Sequence, residues 1–268
     1  MTQPISALTI AGSDSGGGAG IQADLKTFAA HGVHGLSAIT ALTAQHTRGV
    51  TAVHVPPVEF LRAQIDACFD DFRIGAVKIG MLASAPVIHA VADALETHRA
   101  PRVVLDPVMV ATSGARLLEE ESLDALRTRL LPLADVITPN IPEAELLLGR
   151  AIATSADAES ALDALLTAGA RAALLKGGHL DEGGDVIDRY ADDALRTRLR
   201  SPRLQLDGHG TGCTLAAAIA AGLCRGLPLA EACAGGVAYI RDALAAGSRP
   251  GRSEVLVLGH FAAARRDA

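Results

Sequence analysis

The stretch 7-ALTIAGSDSGGGAGIQADLKTFAAHGVHGLSAITALT-43 decides how this chain folds. It opens on a short apolar run, Ala7–Ala11, and passes through a loop holding most of its glycines, Gly12–Gly20. Ile21, Leu25, Phe28 and Ala29 then fall on one helical face, and a second apolar run follows at Leu36–Thr43. Strand, glycine loop, helix and strand at this spacing form the unit from which parallel sheets are assembled.

The alternation continues along the chain. Ala76–Gly80, Arg102–Leu105, Asp135–Thr138 and Ala172–Leu175 read as further strands, several apolar on both faces, as a sheet covered on both sides requires. Leu61, Ile65, Cys68, Phe69 and Phe72 share a helical face, as do Leu123, Leu126 and Leu130. The pattern predicts a three-layer α/β/α fold with a mainly parallel central sheet. Val186–Tyr190 and Leu195–Leu199 read as a small antiparallel edge hairpin, followed by helices at Thr211–Cys224 and Leu229–Ala245. With no linker, repeat or low-complexity stretch, residues 1–268 are expected to form a single domain.

Composition narrows the function. Hydrophobic residues make up 49% of 268 and charged ones 20%, enough apolar material for a large core. The formal net charge of −6 argues against nucleic acid as a partner, and no basic run interrupts it. The longest apolar run, Thr211 to Cys224, falls short of the ~20 residues a membrane span needs. No secretory signal is expected at the N-terminus, and Cys68, Cys213, Cys224 and Cys233 show no metal or disulfide spacing. The reading is a cytoplasmic protein.

Ligands of open α/β sheets bind beyond the carboxyl ends of the strands. Here those ends are Gly12-Ser13-Asp14, Gly80-Met81, Asp106-Pro107, Pro139-Asn140 and Lys176-Gly177-Gly178. Each alone could simply turn the chain; five together, holding one of three lysines, point to a converging site. The loop Gly12–Gly20 carries neither a P-loop nor a dinucleotide glycine pattern, which excludes a nicotinamide oxidoreductase. Its three consecutive glycines, Gly16-Gly17-Gly18, let backbone approach a ligand or let the loop move.

A second glycine motif, Asp207-Gly-His-Gly-Thr-Gly-Cys213, runs directly into an Ala-rich helix. The first amides of that helix, unobstructed by side chains, form an anion site suited to phosphate. Cys213 in the first turn stands where a helix dipole lowers a thiol pKa, so an ionised base is the functional expectation. A small buried hydrophobe is the alternative. Asn140-Ile-Pro-Glu143 offers an amide and a carboxylate three residues apart, suited either to Mg²⁺ or to starting a helix. Gln45, after the strand, can pair twice with an aminopyrimidine edge or bond to a neighbouring loop.

Gly12–Lys26 (GSDSGGGAGIQADLK), Lys78–Leu82 (KIGML), Asp106–Val110 (DPVMV), Thr138–Glu145 (TPNIPEAE), Leu175–His179 (LKGGH) and His209–Thr214 (HGTGCT) occur here in the order of one family. Over residues 7–246 the chain resembles the bacterial hydroxymethylpyrimidine/phosphomethylpyrimidine kinases of the ribokinase-like superfamily. The resemblance implies phosphoryl transfer from Mg·ATP to 4-amino-5-hydroxymethyl-2-methylpyrimidine and then to its monophosphate, in thiamine biosynthesis. It implies a pyrimidine pocket of Gly12, Ala19, Asp24, Gln45, Met81 and Val108, with the Gln45 amide on the 4-amino edge. It further implies an anion hole at Gly210, Thr211 and Gly212, Cys213 as base, and Lys176 on the ATP phosphates. Asn140 and Glu143 would organise Mg²⁺, with Asp106 nearby, and the enzyme would be a homodimer. Most sugar kinases of the superfamily carry Asp where Cys213 stands; Cys marks the pyrimidine kinases and some pyridoxal kinases. A pyridoxal kinase on the same scaffold is therefore the alternative enzyme, which Gln45 disfavours, and a non-catalytic pyrimidine-binding regulator is the alternative from another class.

Overall fold

The computed structural model describes residues 4–109 and 121–264. The chain runs β1 (Ser6–Asp14), α1 (Gly20–Ala30), β2 (His34–His46), β3 (Gly49–His54), α2 (Val58–Asp71), β4 (Ile74–Ile79), α3 (Ala85–His98) and β5 (Val103–Leu105). It continues through α4 (Glu121–Ala125), β6 (Val136–Ile137), α5 (Ile141–Leu148), α6 (Ser155–Thr167), β7 (Ala173–Leu175), β8 (Asp185–Ala191) and β9 (Arg196–Pro202). Last come β10 (Gly208–His209), α7 (Thr211–Cys224), α8 (Leu229–Ala245), β11 (Leu256–Val257) and α9 (His260–Ala264).

The main sheet has the order β3-β2-β1-β4-β5-β6-β7-β8-β9, parallel from β2 through β7. Alternation along each strand divides its residues between two cores. Leu8, Ile10, Val77, Ile79, Val103 and Leu105 face α2, α3 and α6, while Ala7, Ala76 and Val104 face α7. The second set is small because α7 presents Ala216, Ala217, Ala220 and Ala221 to it, so helix and sheet approach closely and bury α7 from Thr214 onward. Burial of this extent is the main stabilising term, at roughly 25 cal/mol per Å² of apolar surface.

The α/β fold with a mainly parallel sheet and an antiparallel edge hairpin is as expected, and three local features differ from that reading or add to it. The sheet carries antiparallel strands at both edges: besides the β8–β9 hairpin, β2 runs on to His46 and turns back as β3. Exposure of β3 removes the apolar alternation that would have disclosed it. The face of Leu123, Leu126 and Leu130 is not one regular helix: α4 widens into a π turn at Leu126–Leu130 and tightens to 3₁₀ at Leu131–Leu133, where Pro132 cannot donate. Finally, β10 pairs in parallel with β11, Gly208 with Leu256 and His209 with Val257, a contact too short to read from periodicity. Val110, the end of the DPVMV motif, lies outside the described residues.

Candidate active site

The parallel strands deliver Asp14, Asp106 and, through short extensions, Asn140 and Lys176 to one side of the sheet; a β-bridge joins the last two. There they meet the start of α7 across a cleft of about 730 Å³. Gln45, Val108, Asp106, Asn140, Glu143 and Lys176 line it from the sheet side, and Gly210 to Cys213 from the helix side.

Gly210 caps α7 in the left-handed region at φ +82°, and a Cβ there would come within 2.0 Å of the Gly18 carbonyl oxygen. Only glycine permits this approach. Thr214 N–H is the first to bond within the helix, to the Gly210 carbonyl at 2.9 Å, so the amides of Gly210, Thr211, Gly212 and Cys213 precede the intrahelical ladder. Lys176 Nζ and Asp106 Oδ2 lie 3.1 and 3.5 Å from where a Gly212 Cβ would stand. The helix start, one cation and one carboxylate therefore share a single small volume.

Lys176 donates to Asp106 Oδ1 at 3.1 Å and lies 3.6 Å from Glu143 Oε2. Burial opposes its charge, but Asp106 and Glu143 outweigh that and hold the ammonium above its ordinary range. Burial pushes the Glu143 carboxyl up, with Lys176 opposing and Asp106 adding to the rise. Asn140 and Glu143 realise the helix-start alternative: Asn140 Oδ1 accepts the Glu143 amide at 2.9 Å, and Glu143 Oε2 accepts the Asn140 amide at 2.7 Å. The Asn140 oxygen is thus engaged in the cap, leaving Asp106 and Glu143 as the carboxylates beside Lys176.

Cys213 is half-buried. Burial pushes the thiol up to about 11; Lys78 pulls it down, and Asp24 and Asp106 push it further up. Burial and the two carboxylates thus oppose the thiolate that a helix start favours, while Lys78 supports it.

Asp24 also departs from expectation. It is fully buried, accepts from Thr9 Oγ1 at 2.6 Å and from Lys78 Nζ at 2.9 Å, and lies off the cleft lining. Its place is beneath the site, where burial raises its carboxyl against the pull of Lys78 and Thr9. Gly12 and Met81 pack on each other, a Gly12 Cβ standing 3.2 Å from Met81 Sδ; Ala19 gives its amide to Asp14 at 2.9 Å. Those three sit behind the cleft, not on its lining.

Two further residues within the motifs, Asp14 and His209, have roles that sequence reasoning does not assign. The Asp14 carboxylate accepts the amides of Gly16, Gly18 and Ala19 at 2.7, 3.0 and 2.9 Å, and His209 Nε2 lies 2.9 Å from its Oδ2. Burial works against that charge, but His209 and the amides overcome it and the carboxyl settles below its ordinary range. His209 Nε2 is also 3.1 Å from the Gln45 amide nitrogen. The glycine loop is therefore packed on the phosphate-type motif, with Gly18 against the His209 ring. An Asp standing just ahead of three glycines is the signal that could have disclosed the clamp.

Among the described residues no group of three or more His, Cys, Asp and Glu could hold a metal by itself, and no helix is long and apolar enough to cross a membrane.

The sequence profile of phosphomethylpyrimidine kinases matches residues 14–257. The hydroxymethylpyrimidine/phosphomethylpyrimidine kinase of Rhizobium meliloti is 53% identical over 245 residues, 91% of each chain. Among solved structures, Bacillus subtilis pyridoxal kinase in its ADP complex superposes with a TM-score of 0.88 at 33% identity, covering 97% of this chain and 98% of that one. The phosphomethylpyrimidine kinase of Clostridium difficile superposes with 0.80 at 42% identity, covering 89% and 99%.

Proposed function

The chain belongs to the phosphomethylpyrimidine kinase family, and on that premise we propose how its residues carry out ATP-dependent phosphorylation of 4-amino-5-hydroxymethyl-2-methylpyrimidine and of its monophosphate. The diphosphate so formed enters thiamine biosynthesis. The observation that carries the residue assignment is the convergence of the glycine-capped start of α7, Lys176 and Cys213 on one cleft that also holds Gln45.

Phosphoryl transfer asks for alignment and charge neutralisation more than for covalent help. The amides of Gly210, Thr211 and Gly212 and the Lys176 ammonium hold the transferring oxygens. Leu215, Val237, Ile240 and Leu244 from α7 and α8, with Val186 and Pro202, give the cleft an apolar lining that would take the adenine. Gln45 and Val108 hold the pyrimidine, with Gly12, Ala19 and Met81 backing the pocket and Asp24 supporting it from below. Cys213 sits beside the acceptor hydroxyl as the base; in a loose transition state the hydroxyl proton leaves late, passing to the sulfur in its thiolate form as the P–O bond forms and leaving a thiol. The clamped Gly16-Gly17-Gly18 loop excludes water and limits ATP hydrolysis.

Mg²⁺ fits these residues. Asp106 and Glu143 provide hard oxygen donors; burial is the main push on the Glu143 carboxyl, and the smaller part that comes from the Asp106 charge is one a cation would relieve. When bound with ATP, the ion would spread charge away from the phosphates. Asn140 would then act through the cap that orients Glu143.

The rival pyridoxal kinase has a close structural match. Gln45 and the higher sequence identity to pyrimidine kinases favour the pyrimidine. Coupled ADP release with the aminopyrimidine alcohol, its monophosphate and pyridoxal in parallel tests the reading: turnover of the first two is expected, and preference for pyridoxal defeats it. We read residues 1–268 as a single cytoplasmic kinase unit that forms a homodimer. The outer edge of β3 has no strand neighbour among the described residues, and Leu42, Val53 and Val55 beside it are exposed. A second copy satisfies that edge by twofold antiparallel pairing. Light scattering on Val53→Lys should show a monomer.

A further inference from the structure

Asp14, His209, Gln45, Thr43 and Ser13 form one line of polar contacts at the pyrimidine end of the cleft. His209 Nε2 lies 2.9 Å from Asp14 Oδ2 and 3.1 Å from Gln45 Nε2. At the other end of the same amide, Gln45 Oε1 lies 2.9 Å from Thr43 Oγ1, which also lies 2.9 Å from the Ser13 carbonyl oxygen.

Counting hydrogens along this line fixes the protonation and the amide together. A carboxylate already accepting three backbone amides only accepts, so His209 Nε2 carries a hydrogen and donates it to Asp14. An amide NH₂ turned to that hydrogen would set donor against donor. The Ser13 carbonyl likewise only accepts, so the single Thr43 hydroxyl hydrogen goes to it, and Thr43 offers Gln45 a lone pair. A carbonyl oxygen turned to that lone pair would set acceptor against acceptor. A half-turn of the Gln45 amide, which exchanges two atoms of nearly equal size, resolves both conflicts. The carbonyl then shares the one His209 Nε2 hydrogen with Asp14 in a three-centre bond, and the NH₂ donates to Thr43.

We propose that His209 and Thr43 are positioning residues that fix the polarity of the Gln45 amide and thereby set substrate specificity. One N–H and one carbonyl lone pair remain for the cleft. In that fixed order they match a ring nitrogen beside an exocyclic amino group, and they find no such edge on a ring that lacks the amine. The inference rests on the reading that Gln45 faces the pyrimidine, and it explains how that contact discriminates.

The test compares calorimetric affinities for 4-amino-5-hydroxymethyl-2-methylpyrimidine and for 5-hydroxymethyl-2-methylpyrimidine, which lacks the amine. Wild type should prefer the amine by ~10–100-fold, the worth of a good bidentate pair. His209→Phe and Thr43→Val free the amide to turn, and each should shrink that preference to about threefold or less, one weak hydrogen bond's worth. Thr43→Val is nearly isosteric and leaves the Asp14 clamp intact, so it reports even where His209→Phe folds poorly. A merely structural role would weaken both ligands equally; an unchanged ratio in Thr43→Val overturns the proposal. Equal wild-type affinity for the two compounds defeats the placement of Gln45 itself, and binding of neither defeats the proposed substrate.

Discussion

Thr214 Oγ1 lies 3.1 Å from Nε2 of the buried His260, tying the last described helix to the first turns of α7. Burial lowers the imidazole from its ordinary 6.5 to about 4, so folding favours the neutral ring. Above pH 6.5 folded and unfolded chains both hold it neutral, and its contribution is complete. Between pH 6.5 and 4 the unfolded chain takes up a proton that the folded one refuses, so stability falls; below pH 4 nothing more is lost. The drop should be about 3 kcal/mol. Urea midpoints of wild type and His260→Gln across pH 4–7 check it, since carboxylate effects cancel in the difference; parallel curves would refute it.

Lys78 and Asp24 are both fully buried, 2.9 Å apart. Lys78→Met leaves the Asp24 carboxylate without its counter-charge and should cost ~3–5 kcal/mol of stability. The double variant Lys78→Met with Asp24→Leu should recover most of that loss. A double variant no more stable than Lys78→Met alone would mean that Asp24 is no liability without its partner.

Gly210 and Gly226 share the left-handed region, at φ +82° and +88°, but only Gly210 has a neighbour where a Cβ would stand. Gly226→Ala should cost about 1 kcal/mol, the backbone penalty alone. Gly210→Ala must also displace Gly18 from the start of α7, and turnover should fall ~10²-fold or more as the amides lose their alignment. Similar kinetics for the two variants would separate the helix start from phosphoryl transfer.

Cys213→Asp places a fixed negative charge beside the acceptor. The first phosphorylation should survive at a reduced rate, whereas the second, onto an anionic monophosphate, should fall at least ~10-fold further, reflecting like-charge repulsion at short range. Steady-state rates with the two acceptors decide it; equal losses remove the charge argument.

Elements with strong periodicity are legible in the amino-acid sequence. The limits of α7 and α8 coincide with the expected Thr211–Cys224 and Leu229–Ala245, because glycine, proline and an unbroken apolar pattern mark them. The edge strand β3 and the β10–β11 pair are not legible, since exposure and brevity erase the pattern. At the site, glycine placement correctly suggests an exposed helix start. What sequence misses is the chemistry that depends on tertiary neighbours: a helix-end cysteine does not show that Asp24, Asp106 and Lys78 surround it, and Asp24 does not show that its partner is the buried Lys78. Asp14 and His209 stand 195 residues apart, and nothing local in either motif tells of their contact.

The pairing of Leu256–Val257 with Gly208–His209 braces the loop that opens α7 from the far side of α8. Order at the helix start is therefore coupled to a strand remote in sequence, and a substitution that unpairs β11 should loosen those amides without altering a residue of the cleft.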